Sequence, residues 1–218
     1  TVLSFKGERT ILVHHNRYAY RLPTRLPAVK RIYYTSLGEG HEPLEQALLS
    51  QLQTMPATRL TFQPGTYQLR RFASGTKEVL ARTDILVLNK EEAAAFLQAP
   101  SKEPLTKCLE RLQACGPRLT VITDGEHGSY ALEGGQAWFC PPFPVPCRER
   151  TGAGDAYASA FTWAIDQGFG VPEAMRHGTA NAASVIQFVG PHAGLLDREG
   201  LNRLLRKFVH LQPTPLPL

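Results

Sequence analysis

The sequence predicts an α/β fold built on a mainly parallel sheet covered by helices on both faces. Three observations carry that prediction. From residue 31 onward, short β-rich runs alternate with segments of helical apolar spacing. Polar clusters follow two of those runs directly and a third leads into a helix, at the strand ends where open α/β sheets bind ligands. The 218-residue chain is 43% hydrophobic, yet it holds no apolar stretch of about 18 residues, so a globular core is expected and a membrane-spanning helix is not.

The elements follow in order. Thr1–Phe5 and Arg9–His14 are extended patterns on either side of Lys6-Gly7-Glu8 and read as a hairpin. Arg31–Ser36 is β-rich and is closed by Gly38 and Gly40. Over Glu42–Leu52, Leu44, Leu48, Leu49 and Leu52 share one helical face. Arg59–Phe62 reads as a strand, Lys77–Ala81 as a short helix and Asp84–Leu88 as the next strand. Helical spacing returns at Glu91–Gln98 and Lys102–Ala114. Leu119–Ile122 is a strand, and Gly128–Leu132 pairs with Gln136–Cys140 across Glu133-Gly134-Gly135. After the proline-rich loop Pro141–Pro146 come three helices, from Ala153, over Val171–Gln187 and over Arg198–Val209. The tail Gln212–Leu218 carries three prolines and is expected to be a disordered or surface-lying end.

Composition narrows the function. With 24 basic and 19 acidic residues the net charge is +5, which favours small anionic ligands. Lys and Arg are scattered rather than clustered with aromatics, which argues against nucleic acid. Cys108, Cys115, Cys140 and Cys147 are too widely spaced for a zinc knuckle or redox pair and read as free thiols of a cytoplasmic protein. His14, His15, His127, His177 and His192 lack metal-ligand spacing.

The most informative stretch is Thr151-Gly152-Ala153-Gly154-Asp155, which opens a helix whose apolar stripe is Ala153, Ala156, Tyr157, Ala160, Phe161, Ala164 and Ile165. Glycines expose backbone N–H groups, and the helix start adds its unpaired N–H groups and positive dipole end. Asp155, off the apolar stripe, would stand beside any anion held there and could take a proton from an attacking hydroxyl. The competing reading makes Thr151 a cap and Asp155 a complement to the helix dipole. A second cluster, Asn89-Lys90-Glu91-Glu92, follows a strand. Asn89 and Glu92 could hold a hydrated magnesium ion, Glu91 is not separated from Glu92 by spacing alone, and a plain capping box is the alternative. A Walker loop, a Gly-x-Gly-x-x-Gly after a strand, a Gly-x-Ser-x-Gly elbow and a His-Glu-x-x-His are all missing from the sequence.

In this order the motifs resemble one family. Thr151–Tyr157 resembles the second signature of the ribokinase-like, PfkB-type carbohydrate kinases, and Asn89–Glu92 its Asn-x-x-Glu motif. Thr123–Gly128 is similar to its nucleotide-binding turn, and Glu173-Ala174 through Ala180-Asn181-Ala182-Ala183 to Gly190 to its alanine-rich helix against the adenine. The resemblance implies a ribokinase-like three-layer α/β/α fold with a mainly parallel sheet and the remnant of a small β lid. Residues 1–22 would be the lid hairpin and return strand, 23–211 the kinase core and 212–218 the tail. It implies Asp155 as catalytic base, with Gly152, Ala153 and Gly154 as the anion hole. Asn89, Thr123, Gly125, Gly128, Thr151 and Thr179 would line the ATP site, with Glu92 reaching Mg2+ through water. Glu149-Arg150-Thr151 stands where members with a monovalent-cation site carry Asp-Thr-Thr, which admits K+ at Glu149.

The implied activity is transfer of the γ-phosphoryl group of ATP to a hydroxyl of a sugar or related small molecule, without nucleic-acid or membrane partners. The lid admits a homodimer. A nucleoside kinase of the same fold and a catalytically inactive nucleotide-binding regulatory subunit are the alternatives. Family members carry a strand, a substrate-binding aspartate and a Gly-Gly signature ahead of the segment resembling Thr1–Pro23. The sequence therefore resembles an N-terminally truncated member, from which weak stability or no activity is expected.

Overall fold

The computed structural model describes residues 2–5, 8–12, 16, 18–71, 77–100 and 102–218, with backbone alone for 2–5, 8–11 and 71. Thr1, Lys6, Gly7, Val13 and His14, which the hairpin reading includes, lie outside them. The chain divides into two compact units, one of Thr1–His14, Thr123–Ala131 and Gly135–Leu218, the other of His15–Ile122 and Leu132–Gly134.

The second of these is the strand–helix unit. Its strands β3 (Arg31–Tyr34), β4 (Arg59–Phe62), β5 (Ile85–Asn89) and β6 (Leu119–Thr123) lie in chain order. β3 pairs with β4 and β4 with β5, both parallel. Leu60, Phe62, Ile85 to Leu88, Leu119, Val121 and Ile122 are all buried, the continuous apolar runs of strands covered on both faces. β3 alternates more and keeps Tyr33 half exposed, while Tyr34 stacks on its register partner Phe62 at 4.9 Å. Helix α1 (Glu42–Gln53) buries Leu48 and Leu52, and its Glu45 accepts the Tyr34 hydroxyl at 3.0 Å in the interior. Helices α3 (Lys77–Arg82), α4 (Lys90–Leu97) and α5 (Leu105–Gln113) follow the expected spacing within one to three residues at each end. The unexpected α2 (Thr66–Arg71) carries Gln68, whose buried amide bonds Gly65, Leu37 and Thr35 and so fixes the loops beyond β3 and β4. Arg31, Asp84 and Arg118 form an ion cluster, with Arg31 Nη1 at 2.8 Å and Arg118 Nε at 2.6 Å from the carboxylate.

The other unit carries the antiparallel pair β1 (Val2–Phe5) and β2 (Glu8–Ile11), the strands β7 (Ser129–Glu133, ending in the neighbouring unit), β8 (Gln136–Cys140) and β9 (Thr214–Leu216), and three helices. β9 decides between the two readings of the tail: it lies on the surface and is ordered as a strand. Residues 214–216 pair antiparallel with β8, and the prolines are tolerated because Pro215 lies on a strand with only one partner.

Helices α6 (Ala153–Asp166) and α7 (Val171–Val185) pack closely. Gly178 makes this possible: a Cβ there would lie 2.9 Å from the ring of Tyr157. α7 is buried along most of its length, and α8 (Arg198–Lys207) lays Leu201 and Leu205 on the cluster of Phe143, Ala180, Ala183 and Phe208. Arg176, buried in α7, donates to the carbonyls of Leu205 (2.9 Å), Phe208 (3.4 Å) and Leu211 (3.2 Å) and pairs with Glu173 at 3.1 Å. It thereby satisfies the Leu205 carbonyl in the last turn of α8 and ties the segment that follows the helix to α7.

Candidate functional site

The site is built from the start of α6 outward. Gly152 is the N-cap residue, with φ +79°, a left-handed conformation that favours glycine. A Cβ at Gly152 would lie 2.6 Å from Pro191 Cβ, so the signature loop and the loop after α7 are in direct contact. Thr151 does not cap the helix; its hydroxyl donates to Glu149 Oε1. Ala153 N–H reaches Arg150 O at 3.3 Å and Ala156 N–H closes on Gly152 O at 2.8 Å. Neither bond uses the N–H of Gly154, and a Cβ on Gly154 would meet nothing within 4 Å. Gly154 and Asp155 are both exposed, while Ala156, Tyr157, Ala160, Phe161 and Ala164 are buried. The helix turns its apolar stripe inward and leaves its positive end and one carboxylate facing open space.

The scaffold behind that end is rigid by construction. The Tyr157 hydroxyl donates to Ser129 Oγ at 2.9 Å, and burial pushes the phenol well above its ordinary range, so it stays neutral. Asn181 donates to Ala156 O at 2.9 Å and accepts from Leu196 N–H at 3.0 Å, joining α6, α7 and the following loop. Thr179 is buried, with its hydroxyl 3.5 Å from Cys140 Sγ. Burial raises the Cys140 thiol to about 11.

Three further loops complete this unit's share. Thr123 ends β6 and leads into a 3-10 turn over Gly125–His127. Gly125 has φ +53° with open space at its Cβ position, whereas a Cβ on Gly128 (φ +99°) would lie 2.4 Å from Cys140 O. Arg150 and Glu126 face each other at 3.6 Å, which sets the 124–128 turn beside the signature loop. Glu149 accepts Gly190 N–H at 2.8 Å through Oε2, and the N–H groups of Arg148 and Glu149 converge on Ile186 O at 2.7 and 3.2 Å. Glu149 was singled out in the sequence, but its pairing with Gly190 and the seat of Pro191 against Gly152 were not. They join residues some forty positions apart, and the only local sign of them is Gly190 itself.

Asn89 and Glu92 belong to the strand–helix unit. Asn89 ends β5 and caps α4: its Oδ1 accepts Glu92 N–H at 2.7 Å, and Glu92 Oε2 accepts Asn89 N–H at 2.8 Å. The capping box is present in full, and it fixes the Glu92 carboxyl at the positive start of a helix. A shallow cavity of about 250 Å³ lined by Phe169, Glu173, His177 and Arg206 holds none of the predicted residues. It lies past the opposite end of α6, roughly 20 Å along the helix from Gly152.

Comparison with known proteins identifies the family and the fold. A sequence model described as pfkB family carbohydrate kinase matches residues 1–198. The fructoselysine 6-kinase of Shigella flexneri is 38% identical over 97 residues, 44% of this chain and 37% of that protein. The 5-dehydro-2-deoxygluconokinase of Shouchella clausii is 30% identical over 193 residues, 82% of this chain and 59% of that protein. This chain thus spans less than two thirds of the length of the relatives it matches. The ribokinase of Arabidopsis thaliana, solved with ribose and ATP, superposes with a TM-score of 0.68 at 18% identity over 81% of this chain and 56% of its own, a likeness of fold.

Proposed function

The chain belongs to the pfkB family of carbohydrate kinases, and on that premise we propose that it is an ATP-dependent phosphotransferase whose acceptor is a hydroxyl of a sugar or related small molecule. The start of α6 carries this reading, with Asp155 exposed beside the open space at Gly154 and a helix N-terminus aimed at that space. Asp155 orients the acceptor hydroxyl and takes its proton as the oxygen bonds to phosphorus and the bond to the leaving diphosphate breaks. The Gly152-Ala153-Gly154 backbone offsets the charge that develops on the transferred group. Gly125, with open space at its Cβ position, lets the nucleotide approach the 123–128 turn, and Thr123, Gly128 and Thr151 hold that surface in shape. Thr179 contributes the wall it makes with Cys140.

Among the described residues no group of three or more His, Cys, Asp or Glu side chains could hold a bare metal ion. A hydrated Mg2+ needs fewer protein ligands, and Glu92 would hold it through water, its carboxyl oriented by the capping bond from the Asn89 N–H. When bound, magnesium neutralises charge on the nucleotide phosphates. The monovalent-cation position fits less well. Both carboxylate oxygens of Glu149 already accept protein donors, so no step here runs through K+. The names of the relatives, a fructoselysine kinase, a deoxygluconokinase and a ribokinase, favour a sugar over a nucleoside.

The test is ADP release screened over sugars, sugar phosphates and nucleosides, on this chain and on one that also carries the preceding strand, substrate-binding aspartate and Gly-Gly signature of family members, with Asp155→Asn in parallel. Transfer to a sugar-type acceptor is expected, and Asp155→Asn should abolish it while ATP still binds. Normal turnover in that variant would refute the role of Asp155, and no stimulation of either chain by any acceptor would refute the kinase reading.

A further inference from the structure

The signature loop is held from one side by α6, and something must hold it from the other. Gly152 adopts a left-handed backbone and touches Pro191, so the position of the anion-facing N–H groups depends on how residues 148–152 sit against residues 186–191. The two loops are joined at three points: Ile186 O accepting from Arg148 and Glu149, the Gly152–Pro191 contact, and the Glu149 side chain. Only the last is charged. Glu149 Oε1 accepts the Thr151 hydroxyl within the signature loop, and Oε2 accepts the Gly190 N–H across the gap. One carboxylate therefore fixes the residue preceding Gly152 and the residue preceding Pro191 at once. Hydrogen bonds to an ionised acceptor are about twice as strong as neutral ones.

We propose that Glu149 is a positioning residue: its carboxylate fastens the signature loop to the 186–191 loop and thereby sets the place of the Gly154 N–H and Asp155. The proposal rests on reading 152–155 as the phosphoryl-transfer centre, but the tie itself is measurable without turnover. Hydrogen exchange at the Gly190 amide reads the tie, and the division of the effect between kcat and the KM for ATP reads the positioning.

In Glu149→Ala the Gly190 amide is expected to exchange about 10- to 100-fold faster, the loss of one charge-assisted hydrogen bond. Turnover should fall about 10-fold or more with the KM for ATP within about threefold of wild type, because an interaction that orients the reacting groups is felt at the transition state. Glu149→Gln keeps one neutral acceptor and should fall between wild type and Glu149→Ala in both readouts. If Glu149→Ala does not fold, Glu149→Gln and Thr151→Val carry the same measurements. A Gly190 amide as slow in Glu149→Ala as in wild type overturns the tie. Faster exchange with kcat unchanged overturns the positioning role. Absence of turnover with every acceptor, in this chain and in the N-terminally extended one alike, removes the kinase reading and the positioning role with it, while the Gly190 exchange still decides the tie.

Discussion

Gly152 and Gly154 stand two residues apart, and the structure assigns them opposite reasons for being glycine. At Gly152, alanine would adopt a left-handed backbone, at a cost of about 1–2 kcal/mol. Its Cβ would also lie 2.6 Å from Pro191 Cβ and 2.9 Å from Pro191 Cα, an overlap that core overpacking places at about 1–3 kcal/mol. Gly152→Ala should therefore lose about 2–5 kcal/mol, a fall in Tm of about 4–20 °C for a chain of this length. At Gly154 the φ is not positive and a Cβ meets nothing within 4 Å. Gly154→Ala sits in the first turn of α6 and should hold or gain up to about 1 kcal/mol of stability. Its methyl group would occupy the space the anion needs, so ADP release should fall at least about tenfold. Urea unfolding and ADP release measured on both variants separate the two. Equal destabilisation of both, or an unperturbed Gly152→Ala, would refute the assignment. A stable and fully active Gly154→Ala would remove the anion hole from this position.

Two further predictions concern ionisation and thiols. Burial raises the Asp84 carboxyl, but hydrogen bonds and charge from Arg118 and Arg31 outweigh it and hold the group below its ordinary 3.8. A depressed folded value contributes stability above the unfolded pKa and loses it as pH falls through the folded one. The urea midpoint should drop on acidification below about 4, and Asp84→Asn should flatten that drop while destabilising the protein at pH 7, since the pair between Arg31 and Asp84 is lost; an unchanged acid slope would refute the role. Among the thiols, Cys147 is exposed and Cys140 is buried and raised to about 11. A thiol reagent at pH 8 should modify Cys147 in the native protein and reach Cys140 only on unfolding, checked by mass mapping; early modification of Cys140 would contradict its burial.

Where local spacing determines structure, the sequence was readable. The three-four stripe of α6 named Ala156, Tyr157, Ala160, Phe161 and Ala164, all buried, and left Asp155 outside, although its ends Ala153 and Ile165 are only partly covered and the buried Ala158 and Thr162 lie off it; the runs at β4, β5 and β6 fall where the apolar blocks are. α2 was missed because Thr66–Arg71 carries one leucine and no stripe; the helix is held by tertiary bonds of Gln68 rather than by an apolar face. β9 was missed because prolines argue against a strand, and only pairing with Ala137 to Phe139 makes one there. In the site, residues consecutive in sequence were found together, as were Asn89 and Glu92 at capping-box spacing. Gly190, Pro191 and Cys140, which Glu149, Gly152 and Thr179 meet across the unit, lie some forty residues from them, and no local pattern encodes those contacts.

Arg176 has a consequence for the order of assembly. Its guanidinium is buried, and three of its acceptors, the carbonyls of Leu205, Phe208 and Leu211, lie 29 to 35 residues later in the chain. During synthesis α7 leaves the ribosome seconds before those carbonyls exist as partners, at about 5–20 residues per second. Until they arrive, closing α7 into the core would leave the Arg176 Nε and Nη2 donors without these acceptors, with Glu173 pairing Nη1 alone, so the nascent helix stays open to water. Residues 205–211 thus act as a latch: the unit that bears Asp155 reaches its native packing only when that segment is in place.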